Sequence, residues 1–272
     1  MSNLSPTLRR LRFRDQTIRR AAVWWRFQRA ALNPDDALLV SYPRSGTTWL
    51  RFLLFEALTN NSPAFGHIKE AVPSLTKHHN AARVLDDRGR LIQSHERFSD
   101  GDRRVIYAVR DARSVALSEY QWQQRLDLEP GSLDRFIRDF VRGKSNPWGA
   151  WDRHVRFWLE SEPARHDHLH LIKFEDLRRD TAGTLGGALS FLGVERSEDE
   201  LRSVVDNNSV ERMRAKEDEA SRRGWRSSAR ADIRFVNQGR PEGWRDRLTA
   251  DQRNTIEARF KATLEELGYH TS

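Results

Sequence analysis

Apolar positions along the chain recur with two different periods. Residues 37–40 form a short unbroken apolar run that stops at Ser41-Tyr42-Pro43, which predicts a buried strand. From Thr47 onward Leu50, Leu53, Leu54 and Leu58 fall on one face of a helix. Short runs at 90–95 and 104–109 predict two further strands, and Leu171-Ile172 marks another. Helical faces return with Leu133, Phe136, Ile137 and Phe140 in 131–142, and with Trp151, Val155, Trp158 and Leu159 in 149–159. Leu185, Leu189, Phe191 and Leu192 form another face ending at Gly193, and a last helix is predicted over 245–267. Strands alternating with amphipathic helices predict an α/β fold with a parallel sheet. Two stretches break the pattern. Residues 60–89 have mixed polarity with Pro63, Gly66 and Pro73, and read as loop with one short helix. Residues 214–234 are charged and poor in large aliphatic side chains, and read as a mobile segment, either a lid or a linker.

No repeat and no Gly/Ser- or Pro-rich linker divides the 272 residues, so one domain is expected over 37–272. It is preceded by a basic extension at 1–36 in which arginines alternate with Leu8, Leu11, Ile18, Val23, Trp24 and Trp25. That extension is expected to pack on the domain rather than lie on an anionic membrane, because Asp15 interrupts a narrow apolar stripe; weak contact with a membrane surface is the second reading. No apolar run reaches membrane-spanning length and no leader is recognisable, so a cytoplasmic protein is expected; the absence of cysteine is compatible with that. The net charge of +8 favours anionic partners. The basic residues are spread along the chain among many carboxylates, which argues against a nucleic-acid binder.

The strongest chemical signal lies where the first strand gives way to the first helix. A tight turn there aims unpaired N–H groups and the positive helix end at one point, which suits an anion. Arg44 adds a permanent charge; Ser45, Thr47 and Thr48 add hydroxyls; and Gly46 lets the backbone turn. A nucleoside-triphosphate loop would read G-x-x-x-x-G-K-[ST]. Here Ser41 holds the first glycine position and Thr47 the lysine position. The segment Tyr42-Pro-Arg-Ser-Gly-Thr-Thr-Trp49 instead resembles the 5′-phosphosulfate loop of the cytosolic-type sulfotransferases, Y-P-K-S-G-T-T-W, with Arg44 in the lysine place.

Further motifs follow in the order of that family. Gln93-Ser94-His95 resembles its K-T-H, whose histidine is the catalytic base; Gln93 replaces the lysine, so one positive charge is missing. A histidine at a strand's carboxyl end is well placed for proton transfer. Arg110 and Ser118 keep the spacing of the family's 3′-phosphate motif. Residues 149–158 are similar to G-x-W-x-x-H-V-x-x-W and are assigned to packing. Phe174-Glu175-Asp176-Leu177 resembles Y-E-D-L, whose tyrosine contacts the adenine; the ring is kept and the hydroxyl lost. Ser209 and Met213 match T-S-F-x-x-M, with Val210 in place of the aromatic, which leaves most of the stacking to Trp49. Asn237-Gln238-Gly239 stands where the family has R-K-G; Arg240 or Arg234 could compensate, and Arg222-Arg223-Gly224 is a competing candidate for that motif. His78-His79 lack further ligands at a metal site's spacing, and the alternating His166, His168 and His170 are expected on one face of a strand with no acid ligand nearby, so no metal is assigned to either.

The resemblance implies a P-loop-like three-layer fold with a central parallel sheet flanked by helices. It implies transfer of a sulfuryl group from 3′-phosphoadenosine 5′-phosphosulfate (PAPS) to a hydroxyl or amine of a small-molecule, lipid or sugar acceptor. The product would be adenosine 3′,5′-bisphosphate (PAP), and no metal is needed. It assigns His95 as base and Arg44 as stabiliser of the transferring group. It assigns Arg44, Ser45, Gly46, Thr47, Thr48, Trp49, Arg110, Ser118, Phe174, Ser209, Met213, Asn237, Gln238, Gly239 and Arg240 to the nucleotide. Two other classes stay open: a nucleotide-dependent kinase, which the missing loop lysine disfavours, and a non-catalytic nucleotide-binding homologue, to which Gln93, Val210, Asn237 and Gln238 give weight. Oligomeric state is undetermined.

Overall fold

The computed structural model describes residues 32–75, 81–85, 88–98, 103–224, 236 and 239–271. Among these, β1 (Ala37–Ser41), β2 (Leu91–Ser94), β3 (Val105–Val109) and β4 (Leu169–Lys173) form one parallel sheet in the order β2-β1-β3-β4. The register sets Leu38 beside Ile92 on one side and Val105 on the other. Burial on both faces explains why β1 and β3 are unbroken apolar runs rather than alternating ones.

The period of two sends alternate residues into two cores. Leu38, Val40, Tyr107 and Val109 join Trp151, Trp158 and Phe260 on one face. Ala37, Leu39, Ile106 and Ala108 join Leu50, Leu53, Leu54, Leu185 and Leu189 on the other. The first face is covered by α3 (Ala112–Arg125), α4 (Leu133–Val141), α5 (Trp151–Leu159) and α11 (Ala250–Glu266). The second is covered by α1 (Thr47–Thr59), α8 (Thr181–Phe191) and α9 (Glu198–Asn207). Short helices α2 (Ile68–Ala71), α6 (Glu162–Arg165) and α7 (Phe174–Arg179) and the longer α10 (Val210–Arg222) complete the set.

Chain direction sets the site. From β1 the chain crosses to β2 on one side; from β3 it crosses to β4 on the other. Connections therefore diverge between β1 and β3, and ligands of open α/β sheets collect at the carboxyl ends of strands there. The turn 42–46, His95 and Arg110 follow the ends of β1, β2 and β3.

Two expectations need correction. The segment expected to be mobile from residue 214 is helical as far as Arg222. Glu217 and Ala220 are buried in it: Glu217 pairs with Arg125 of α3 at 3.4 Å, and Ala220 packs with Phe52 and Phe65. A stripe of small and charged residues finds its partners in the tertiary structure, which aliphatic content does not reveal. His166, His168 and His170 do not share a strand face: His166 closes α6, and His170 alone lies in β4, stacked on Phe191 at 5.4 Å. Residues 1–31, His78-His79, 225–235, Asn237 and Gln238 lie outside the described residues.

Candidate active site

A cavity of about 460 Å³ opens at these strand ends. Pro43, Arg44, Gly46, Thr47, Thr48 and Trp49 line its floor. The turn that aims them depends on two left-handed residues, Arg44 (φ 72°) and Gly46 (φ 90°). Gly46 is required twice over: its φ suits glycine, and a Cβ there would stand 2.5 Å from Cδ2 of Phe174. Helix α1 starts here with no side chain capping it and no acidic residue in its first turn. Its amides thus point into the cavity without an internal partner. Beneath them the buried Ser45 hydroxyl has no hydrogen-bond partner. An uncapped helix start over an orphaned hydroxyl fits a phosphate or sulfate group.

Arg44 projects across the turn. Its Nε donates to Ser118 Oγ at 3.2 Å, and its guanidinium lies 4.9 Å from the Trp122 ring centre. Burial is the main reason its pKa falls to about 10, with Arg110 and Arg125 adding to the fall and Glu119 opposing it. Arg44 is still a cation at neutral pH. Arg110 donates to the Arg44 carbonyl at 3.3 Å and stacks 4.3 Å over Phe174, while its buried Nε lacks a partner. Arg110 and Ser118 therefore meet through Arg44, with both still lining the cavity.

His95 has a determined tautomer. Its Nδ1 lies 2.8 Å from the carbonyl oxygen of Ser41, which can only accept, so Nδ1 carries the hydrogen. Nε2 is left with its lone pair. Burial first, then the charges of Arg51 and Arg44, push the imidazole pKa down to about 4 against the pull of the Ser41 bond. The ring is neutral at physiological pH, as a proton acceptor must be. Its backbone is held as well: His154 Nε2 donates to the His95 carbonyl at 3.0 Å, and the Tyr107 hydroxyl donates to His154 Nδ1 at 2.9 Å. His154, assigned to packing from the sequence, is fully buried and ties α5 to His95.

At the other end, Trp49 is oriented by its Nε1 bond to the Asn208 carbonyl at 2.8 Å, and its ring meets Phe174 edge-on at 6.3 Å. Met213, Val210 and Gly239 complete this end. Three expected nucleotide contacts among the described residues are not in the lining, and one of them is Ser45, whose side chain is buried behind the turn. Ser209 caps α10, accepting from Arg212 N at 3.3 Å, and Arg240 is exposed. Capping uses the same serine that the motif offers to a ligand, and a helix start beside an apolar pocket satisfies both patterns. Sequence reasoning missed Arg51, Lys69, Glu119, Trp122, Trp148 and Arg178, all of which line the cavity. Arg51 stands four residues after Thr47 on the buried face of α1, a position that only the fold shows to face the cavity.

A model of the sulfotransferase domain matches residues 34–268. The chain belongs to that family. Human sulfotransferase 1C2 is 25% identical over 268 residues, covering 89% of this chain and 87% of its own. Rat sulfotransferase 2A6 is 26% identical, covering 85% and 84%. Among solved structures, retinol dehydratase in a complex with retinol and PAP superposes with a TM-score of 0.69 at 18% identity, covering 89% of this chain and 84% of that one. A mouse sulfotransferase complexed with PAP gives 0.63 at 20%, covering 86% of each. The three-layer architecture is thus that of the sulfotransferases. The enzyme takes its sulfuryl group from PAPS, and the kinase reading falls away.

Proposed function

We propose that His95 is the general base of sulfuryl transfer to a hydroxyl or amine of a small-molecule acceptor, and that Arg44 stabilises the transferring group. The observation that carries this reading is the Ser41 carbonyl fixing the proton on Nδ1 of His95, which leaves a basic Nε2 beside a phosphate-fitting turn. The acceptor oxygen forms a bond to sulfur as the bond from sulfur to the bridging phosphate oxygen breaks. The electron pair stays on the phosphate and the acceptor proton goes to Nε2.

Arg44 and the α1 amides oppose the charge that gathers on the phosphate and sulfuryl oxygens. Guanidinium keeps its proton, so Arg44 acts by charge and not as an acid. Arg110 and Ser118 support the 3′-phosphate, and Trp49, Phe174 and Met213 the base. Trp122, Leu126 and Trp148 wall the side from which an acceptor reaches His95, with Trp148 edge-on to the imidazole at 5.4 Å. These aromatic walls favour an acceptor with an apolar body, phenolic, steroidal or lipidic.

The test is incubation with ³⁵S-labelled PAPS and a panel of phenols, sterols, lipids and sugars. His95→Ala should lower transfer by roughly 10²- to 10⁴-fold while PAP affinity holds. Unchanged transfer in that variant would remove the base assignment.

A further inference from the structure

The cavity contains a cation that the motif does not supply. Arg51 lies one helical turn beyond Thr47 on α1 and is only 7% exposed. It lines the same wall as Gln93 and His95. One end of its guanidinium donates to the Val72 carbonyl, and its buried Nε has no partner. Gln93 is 6% exposed and its side-chain amide nitrogen is also unpartnered. The two are brought together by the chain just after α2, which runs beside β2: Gln93 N donates to the Pro73 carbonyl at 2.8 Å and Leu75 N to the Gln93 carbonyl at 2.9 Å. Val72, the anchor of Arg51, is the next residue along. Two buried groups with unmet donors therefore share the wall next to the base. Burying an uncompensated guanidinium is costly, and a site that keeps one there has an anion to meet.

We propose that Arg51, from α1, supplies the second cation of the transfer site where Gln93 leaves the strand position neutral, and that it contacts the sulfuryl group together with Arg44. The inference rests on the proposed assignment of the His95 end of the cavity to sulfuryl transfer. Lys69 also lines the cavity, but it is exposed, and its charge is screened by solvent. The charge of Arg51 already reaches the base: of the two arginines that depress the His95 pKa, Arg51 acts more strongly than Arg44. Among the described residues, Arg110, Arg178, Lys69 and Glu119 also line the cavity, and His154 holds the backbone behind the ring.

The experiment uses the full chain and two readings that need no acceptor. One is the NMR titration of His95 Cε1, assigned by its loss in His95→Asn. The other is the ratio of PAPS to PAP affinity by calorimetry, which isolates the sulfuryl group. In Arg51→Gln the His95 titration should rise by about one pH unit, since a nearby like charge has gone. PAPS should lose its advantage over PAP severalfold while PAP affinity holds. Adding Gln93→Lys to that variant should reverse both changes. An unmoved titration together with an unmoved ratio would reduce Arg51 to a clamp on Val72. Should Arg51→Gln not fold, Gln93→Lys alone decides. A site already served by Arg51 should change its PAPS:PAP ratio less than about twofold, whereas a gain of tenfold or more would show that the second cation had been lacking. The affinity ratio does not involve His95, so failure of the base assignment would leave this test intact.

Discussion

The proposed sulfuryl end of the cavity and its proposed acceptor wall are built from different materials. At the sulfuryl end, position comes from backbone: the left-handed Arg44 and Gly46, the uncapped start of α1, and the Ser41 carbonyl that fixes the His95 proton. At the acceptor wall, Trp122 and Leu126 come from the last turn of α3 and its end, and Trp148 from the connection before α5. The connection carrying Trp148 is held from beneath, as Asn146 donates to the Tyr42 hydroxyl and that hydroxyl to the Gly149 carbonyl, but side chains are the contact surface throughout. A reaction common to a family can be held in the first way. Specificity needs the second, because changing a side chain leaves the frame intact.

Glycines separate the two regions most sharply. Both Gly46 and Gly149 have positive φ, 90° and 81°. A Cβ at Gly46 would collide with Phe174, whereas one at Gly149 would meet nothing within 4 Å. Gly46→Ala should therefore cost PAP affinity about 100-fold or more, or prevent folding. Gly149→Ala should bear only backbone strain of about 1–2 kcal/mol. Calorimetry with PAP and thermal melting of both variants check this; equal effects would erase the distinction.

His154 tests how far the support behind the sulfuryl end extends. Replacing it with Phe removes both partners, leaving the Tyr107 hydroxyl and the His95 carbonyl buried and unpaired. Stability should drop by about 1–3 kcal/mol. Transfer should fall about tenfold through kcat, with PAP affinity kept, since a shifted base loses geometry before binding. The acceptor wall should behave in the opposite sense. Trp148→Ala should raise the acceptor KM about tenfold, the loss of one aromatic contact, with little effect on PAP. A change in PAP affinity instead would join the two regions into one.

The same contrast explains what could be read beforehand. The turn was legible because its conformation demands particular residues: glycine at φ 90°, small hydroxyls around it, and an apolar strand and helix on either side. The parallel sheet was legible because strands buried on both faces become unbroken apolar runs. Arg51 and Arg178 were not, since a lone arginine on a helix is ordinary until the fold shows it facing a cavity. Helix α10 was hidden for a related reason: Glu217 is buried because partners outside its own helix, Arg125 and the Val236 amide, meet it. The His154 motif had been seen, but its hydrogen bond to a backbone carbonyl leaves no mark in any residue pattern.

The smallest expected effect is the one on pH, and it bears directly on the frame around His95. An unperturbed histidine titrates near pH 6.5, so a base of ordinary environment would lose activity through the mildly acidic range. Here burial and the charges of Arg51 and Arg44 hold the ring neutral down to about pH 4. Measured as kcat/KM for PAPS, which reports the free enzyme, activity should be nearly flat between pH 5.5 and 8, within about twofold. It should fall only as pH approaches 4. The donor's negative charges oppose both arginines, so kcat/KM for the acceptor, which reports the donor-bound enzyme, should show its acid limb at higher pH. Stability carries the matching sign. Below pH 6.5 the unfolded chain binds a proton at this histidine while the folded chain does not, so folding weakens as pH drops from 6.5 toward 4. An acid limb near 6.5 in the free enzyme would mean that the imidazole stands in water, outside the frame that β1, α1 and α5 build around it.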